Sequence, residues 1–256
     1  MEQVVSSSYQ SGFVALSYAI SAIGSYVALN SANGIRRPDG RIRLGSTVAA
    51  GIALGGIGVW SMHFIGMLAL KLDAGSSYAM VETVVSLVAA IVGSALALGF
   101  VARAPHRLGR IAGAGLLLGI GVVVMHYLGM FGMKIGGFIR WDYEVVAHSA
   151  MIAVAAATAA LWLAFNTASI GMRAVASLVM GVAVCAMHYT GMRAAEFVCT
   201  VSDRAATPQG FGYVSAAALP YLVVFGAMTM AALITVYQLY QSSTEDYEDM
   251  ESRLAA

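Results

Sequence analysis

Apolar and polar positions do not alternate along this chain. Apolar residues gather into seven blocks, each of about the 20 residues a helix needs to cross a bilayer. Charge and turn residues separate the blocks, at 9–30, 45–70, 78–102, 110–133, 143–167, 172–194 and 213–241. The pattern predicts an all-α integral membrane fold with seven transmembrane helices. The polar residues left inside the blocks follow a rule. "WSMHFIGM", "VVMHYLGM" and "CAMHYTGM" place Met62-His63, Met125-His126 and Met187-His188 ahead of an aromatic residue and a Gly-Met pair. The histidines stand 63 and then 62 residues apart. That spacing predicts internal repeats made of helix pairs: spans two and three, four and five, six and seven. The first span is then an addition.

Composition agrees. Charged residues are 11% of the 256, less than half of the roughly 25% usual in soluble domains, and apolar residues are 59%. Arginines collect in alternate loops: Arg36, Arg37, Arg41 and Arg43, then Arg103, Arg107 and Arg110, then Arg173. The other loops mix few basic residues with acidic ones. The positive-inside bias therefore predicts an N-terminus outside and a C-terminus in the cytoplasm. No positive segment opens the chain, so a cleaved signal peptide is not expected. The net charge of +1 says nothing about nucleic acid, and with no strong basic patch no nucleic acid contact is expected. Cys185 and Cys199 do not read as a disulfide framework.

The orientation sets the depth of the repeated frames. His63 and His126 each precede a lysine, Lys71 and Lys134, by eight residues. If those lysines snorkel to the outer interface, the histidines lie roughly 12 Å below it at 1.5 Å per residue. Met67, Met130 and Met192 follow the histidines by four positions and share their helix faces. Gly66, Gly129 and Gly191 remove bulk nearby and allow close helix approach. Three such faces would gather imidazoles and thioethers in one dry site. Thioethers favour Cu(I), and imidazole suits copper, zinc and iron, so copper is the expected metal and zinc the alternative. Met62, Met125 and Met187 lie about 100° round and either serve further coordination or pack. An intramembrane histidine also serves as a hydrogen-bonded packing residue, and methionine as a gap-filler. Threefold recurrence at one depth favours a ligand role. Glu82 and His148, near the outer ends of spans three and five, are candidates to orient the ligands. Cys185 reads either as a thiolate ligand or as a small core residue.

The last span runs on through a 4-3 spacing of Tyr240, Ser243, Tyr247, Met250 and Leu254, the start of a heptad seam. The chain thus divides into a membrane domain at 9–241 and the start of a cytoplasmic linker helix at 242–256. The three frames resemble the MHYT domain of bacteria across nearly the whole chain. The resemblance implies a sensor of the bacterial inner membrane that binds copper through its His and Met residues and responds to oxygen, carbon monoxide or nitric oxide, or to the metal itself. It implies signalling to a cytoplasmic output domain, most often one for cyclic di-GMP turnover, and no enzyme activity in this stretch. The expected partners are lipid, a diatomic gas, the output domain and a second copy in a homodimer. A haem-binding membrane redox protein and a copper carrier are the alternatives. A retinal photoreceptor is disfavoured, because span seven has no lysine.

Overall fold

The computed structural model describes residues 2–37, 39–166 and 169–254, with side chains through Thr244. Seven helices are long and apolar enough to cross a membrane. They are α1 (Ser11–Ala32), α2 (Leu44–Ala69), α3 (Met80–Ala102), α4 (Leu108–Gly132), α5 (Tyr143–Asn166), α6 (Ile170–Arg193) and α7 (Leu219–Leu254). The last begins six residues later than the apolar block at 213–241 suggested, because its first residues form a strand instead. In the tail seam, Tyr247, Met250 and Leu254 lie beyond the described side chains.

Eight short strands cap one end of the bundle, and the apolar blocks gave no sign of them. They are β1 (Gln3–Val4), β2 (Ser7–Tyr9), β3 (Leu70–Leu72), β4 (Ser76–Ala79), β5 (Met133–Ile135), β6 (Gly137–Trp141), β7 (Ala195–Cys199) and β8 (Tyr213–Ser215). Their pairing groups the helices in a second way. β2 pairs with β3, β4 with β5 and β6 with β7, all antiparallel. Each pair closes a unit of strand, outer helix, inner helix and strand. The units are β2–α1–α2–β3, β4–α3–α4–β5 and β6–α5–α6–β7.

In this grouping the first span is a full member of a unit. α1 packs against both α6 and α2, as α3 packs between α2 and α4 and α5 between α4 and α6. A ring of three outer helices therefore encloses α2, α4 and α6. The sequence of α1 fits the role. Ser17, Ser25, Ala28 and Leu29 correspond to Ser86, Ser94, Ala97 and Leu98 in α3 and to Ser149, Ala157, Ala160 and Leu161 in α5. All twelve are buried. A Cβ on Gly24 would strike the backbone of Gly58, so α1 and α2 cross almost backbone to backbone. Gly93 and Gly121 make the equivalent crossing of α3 and α4. Such small-residue seams hold helices together where lipid supplies no hydrophobic drive.

α7 is the supernumerary helix, and it packs on α2. The most apolar stretch of α2 is accordingly 89% buried, against 22% for α7. Within α2, residues Ile52–Ser61 are π-helical. The cause is one extra residue. Arg-Leu-Gly opens both α2 (Arg43–Gly45) and α4 (Arg107–Gly109), yet His63 lies 20 residues beyond Arg43 and His126 only 19 beyond Arg107. The surplus falls at Gly55-Gly56, where α4 has the single Gly119. A π segment is how a helix absorbs such an insertion. The hydroxyl of Ser61 donates to the Gly56 carbonyl at 3.0 Å, within the bulge. The α4 counterpart of Ser61 is Val124, which has no bulge to serve. Ser61→Ala would remove this second donor and leave the carbonyl to the backbone i→i+5 bond of the π segment. The expected loss is about 0.5–1.5 kcal/mol, readable as a lowered thermal midpoint in detergent, while Val124→Ala on the exposed face of α4 changes little.

Candidate metal centre

Each inner helix delivers its histidine to the bundle axis. His63, His126 and His188 are 0%, 0% and 1% exposed. Their ring centroids lie 4.9, 5.0 and 5.2 Å apart, each pair nearly perpendicular, as in a three-bladed propeller. The Nδ1 of His63 stands 3.1 Å from the Nδ1 of His126 and 3.1 Å from that of His188. At most one proton fits between two nitrogens this close, so unprotonated lone pairs converge on the axis. All three residues can offer a ligand nitrogen within 4.8 Å of one another.

The rings are fixed by a cyclic cradle. A Cβ on Gly66 would collide with Nε2 of His188, one on Gly129 with Nε2 of His63 and one on Gly191 with Nε2 of His126. The glycine of each frame therefore seats the imidazole of another inner helix. It also leaves each Nε2 buried without a hydrogen-bond partner among the described residues. That arrangement suits Nδ1 as the ligand atom. Two imidazole nitrogens on one tetrahedral ion at 2.0–2.1 Å stand about 3.3 Å apart, and 3.1 Å is close to that. The donor set fits a single metal ion.

The aromatic residue of each frame locks its helix to the next unit. Tyr127 and Ser149 share a hydrogen bond of 2.7 Å, and Tyr189 and Ser17 one of 2.9 Å. Phe64 has no hydroxyl, but Trp60 one turn earlier donates its indole N–H to the corresponding Ser86 at 3.1 Å. Strand aromatics then stack on the frames: Tyr78 on Phe64, Trp141 on Tyr127 and Tyr9 on Tyr189. Burial, and then the field of Tyr189, pushes the Tyr9 phenol up to about 12. It therefore stays neutral at physiological pH.

The remaining candidates divide. Met62, Met67, Met125, Met130, Met187 and Met192 are all buried. By helix geometry they stand one residue below and one turn above the imidazole layer. Met67 lines a cavity beneath the strands together with Tyr78 and Met133. Met187 lines a second cavity, of about 30 Å³, on the far side of the histidines. Val59, Val122 and Val184, each one turn before a histidine, form part of its wall, and the wall is almost wholly apolar.

Three other candidates lie outside the histidine cluster. The carboxylate of Glu82 pairs with Lys134 at 3.2 Å, because β5, paired with β4, brings that lysine to the start of α3. His148 is exposed. Cys185 is half-buried. It lies three residues before His188, and its thiol meets Ser17 of α1. Missed at the sequence level were Ser17, Ser86 and Ser149, whose signal was the similarity of α1 to α3 and α5.

A family model described as "MHYT: Bacterial signalling protein N terminal repeat" matches residues 56–114, 119–177 and 181–242. These segments begin with an inner helix, as the histidine spacing predicted, while the units closed by strand pairing begin one helix earlier. Among curated proteins, the chain is 40% identical over 196 residues to the bifunctional diguanylate cyclase/cyclic di-GMP phosphodiesterase MucR of Pseudomonas aeruginosa, covering 75% of this chain and 28% of that protein. It is 31% identical to the signaling protein YkoW of Bacillus subtilis, covering 74% and 24%, and 31% identical to the cyclic di-GMP phosphodiesterase NbdA of P. aeruginosa, covering 73% and 24%. The chain thus spans about a quarter of the length of these relatives. No catalytic domain is evident in it. No solved structure matches it significantly.

Proposed function

The chain belongs to the MHYT family of bacterial signalling repeats, and from that premise we propose that it is the membrane-embedded sensory input domain of an inner-membrane signalling protein, holding copper at the imidazole triad. The observation that carries this reading is the buried cluster of three imidazoles, with the Nδ1 atoms of His126 and His188 each 3.1 Å from that of His63. His63, His126 and His188 are the nitrogen donors. Met67, Met130 and Met192 are the sulfur donors that favour Cu(I) over zinc, with Met62, Met125 and Met187 as a reserve on the other side of the layer. When bound, copper supplies a coordination position for a diatomic molecule such as oxygen, carbon monoxide or nitric oxide.

The chain's own residues do the rest. The glycine cradle holds the rings in one orientation. The valine layer keeps the lower face dry, and the strand aromatics cover the upper face. The cavity below the triad, at about 30 Å³, exceeds the space one small molecule needs and is far short of a porphyrin's. This favours a bare ion over haem. A single buried donor layer likewise supports sensing over carriage across the membrane. Residues 9–241 act as the sensor and 242–256 begin the helix to a cytoplasmic output domain, with the arginine-rich loops inside. In MucR and NbdA that output is cyclic di-GMP turnover, by their names.

The test is metal content by mass spectrometry of the purified chain and of His63→Ala, His126→Ala and His188→Ala. Copper at about one ion per chain, lost in each variant, is the expected result. Unchanged copper in all three variants would remove the proposal.

A further inference from the structure

α7 is the helix that leads away from the sensor, and its contacts are unequal. Within the bundle it packs on α2, with no comparable packing against α4 or α6 among the described residues. Three contacts define the seam. The Trp60 ring lies over Gly226. Met230 fills the space a Cβ on Gly56 would take. The Tyr237 ring covers Gly45, and its hydroxyl lies 3.1 Å from that of Ser46. Two of the three contact points on α2, Gly56 and Trp60, fall inside the π segment that immediately precedes His63.

We propose that the one-residue insertion at Gly55-Gly56 makes α2 the relay of this domain: a displacement of His63 is passed through the π segment to α7, while displacements of His126 and His188 are not. A π turn lies close in energy to the α form and changes the phase of the helix by a fraction of a turn when it shifts. The Ser61 hydroxyl is a second donor to the Gly56 carbonyl inside the segment, so the backbone bond there can shift without orphaning that carbonyl. α4 and α6 have no insertion and no α7 docked on them. The threefold symmetry of the triad is therefore broken at the output step. This reading holds whatever ion or molecule the triad binds.

The glycine cradle supplies the test without any ligand. Gly129→Ala pushes on His63, whereas Gly191→Ala pushes on His126. A nitroxide pair replaces the exposed residues Val48 on α2 and Leu239 on α7, with Cys185→Ala and Cys199→Ser removing the native thiols, and electron paramagnetic resonance reads the distance in the full chain. The expected result is a shift in the distance distribution in Gly129→Ala, none in Gly191→Ala, and loss of the Gly129→Ala shift when Gly55 is deleted. Should the deletion unfold the chain, Ser61→Ala replaces it and is expected to diminish the shift. Equal shifts in the two glycine variants, no shift in Gly129→Ala, or a full shift that survives the change at Gly55 or Ser61 each overturns the relay.

Discussion

Gly129→Ala is expected to empty the metal site as completely as His63→Ala does, although glycine has no atom that could bind a metal. The methyl group lands on Nε2 of His63. That ring cannot retreat, because Phe64 lies edge-on to it at 4.8 Å and the other two imidazoles occupy the axis. The ring must turn off its rotamer, and its Nδ1 leaves the point of convergence. Donor sets tolerate only a few tenths of an ångström of misplacement, so the loss should be near total rather than graded. Gly66→Ala and Gly191→Ala should do the same through His188 and His126. Gly109→Ala and Gly171→Ala serve as controls, since nothing lies within 4 Å of a Cβ at either position. Both should keep their metal. Mass spectrometry of the purified variants reads the outcome, and full occupancy in Gly129→Ala would show that Nδ1 of His63 is not a ligand.

Gly24→Ala is expected to be far more destabilising than Gly93→Ala, its equivalent in the second unit. Its methyl group would meet backbone atoms of Gly58, which cannot rotate aside. The equivalent change Gly93→Ala brings its methyl no closer than 3.3 Å to Gly121 Cα, a contact that a small helix shift relieves. The third unit already carries alanines at the corresponding Ala156 and Ala183. Overpacking costs about 1–3 kcal/mol and sometimes more. Gly24→Ala should reach at least the upper part of that range, while the helix propensity gained at Gly93, about 1 kcal/mol, should offset much of its smaller clash. Thermal unfolding in one detergent compares the two. Similar midpoints would mean that α1 is free to move away from α2.

Much of this was legible in the sequence, for physical reasons. Bilayer-length apolar blocks have few alternatives to a spanning helix, so the seven helices follow from hydropathy. The meeting of His63, His126 and His188 follows from repetition, since like sequences at like depth fold alike. The histidine spacing marks units that begin with an inner helix, as the family model does. What escaped was the likeness of α1 to α3 and α5, because a buried serine is a quieter signal than a histidine. The strands escaped because segments such as "SSYA" and "MKI" are shorter than any window that detects alternation. Glu82 was drawn to the triad on the cost of an intramembrane charge. The β4–β5 pairing instead brought Lys134 to it, a tertiary fact that no local pattern carries. The π segment could have been found by aligning the two Arg-Leu-Gly openings and noticing the surplus glycine.

The pairing of β1 with β7 has a consequence for how the protein is made. Gln3 lies opposite Cys199, so β1 finds its partner only after the six helices that follow it have entered the bilayer. His63 is inserted early and stands without its two companions until α4 and then α6 arrive. Assembly of the ring must therefore be a late, concerted event. A nascent chain halted before β7 would hold an open crescent with its amino-terminal clasp unfastened, a form that quality-control proteases could recognise.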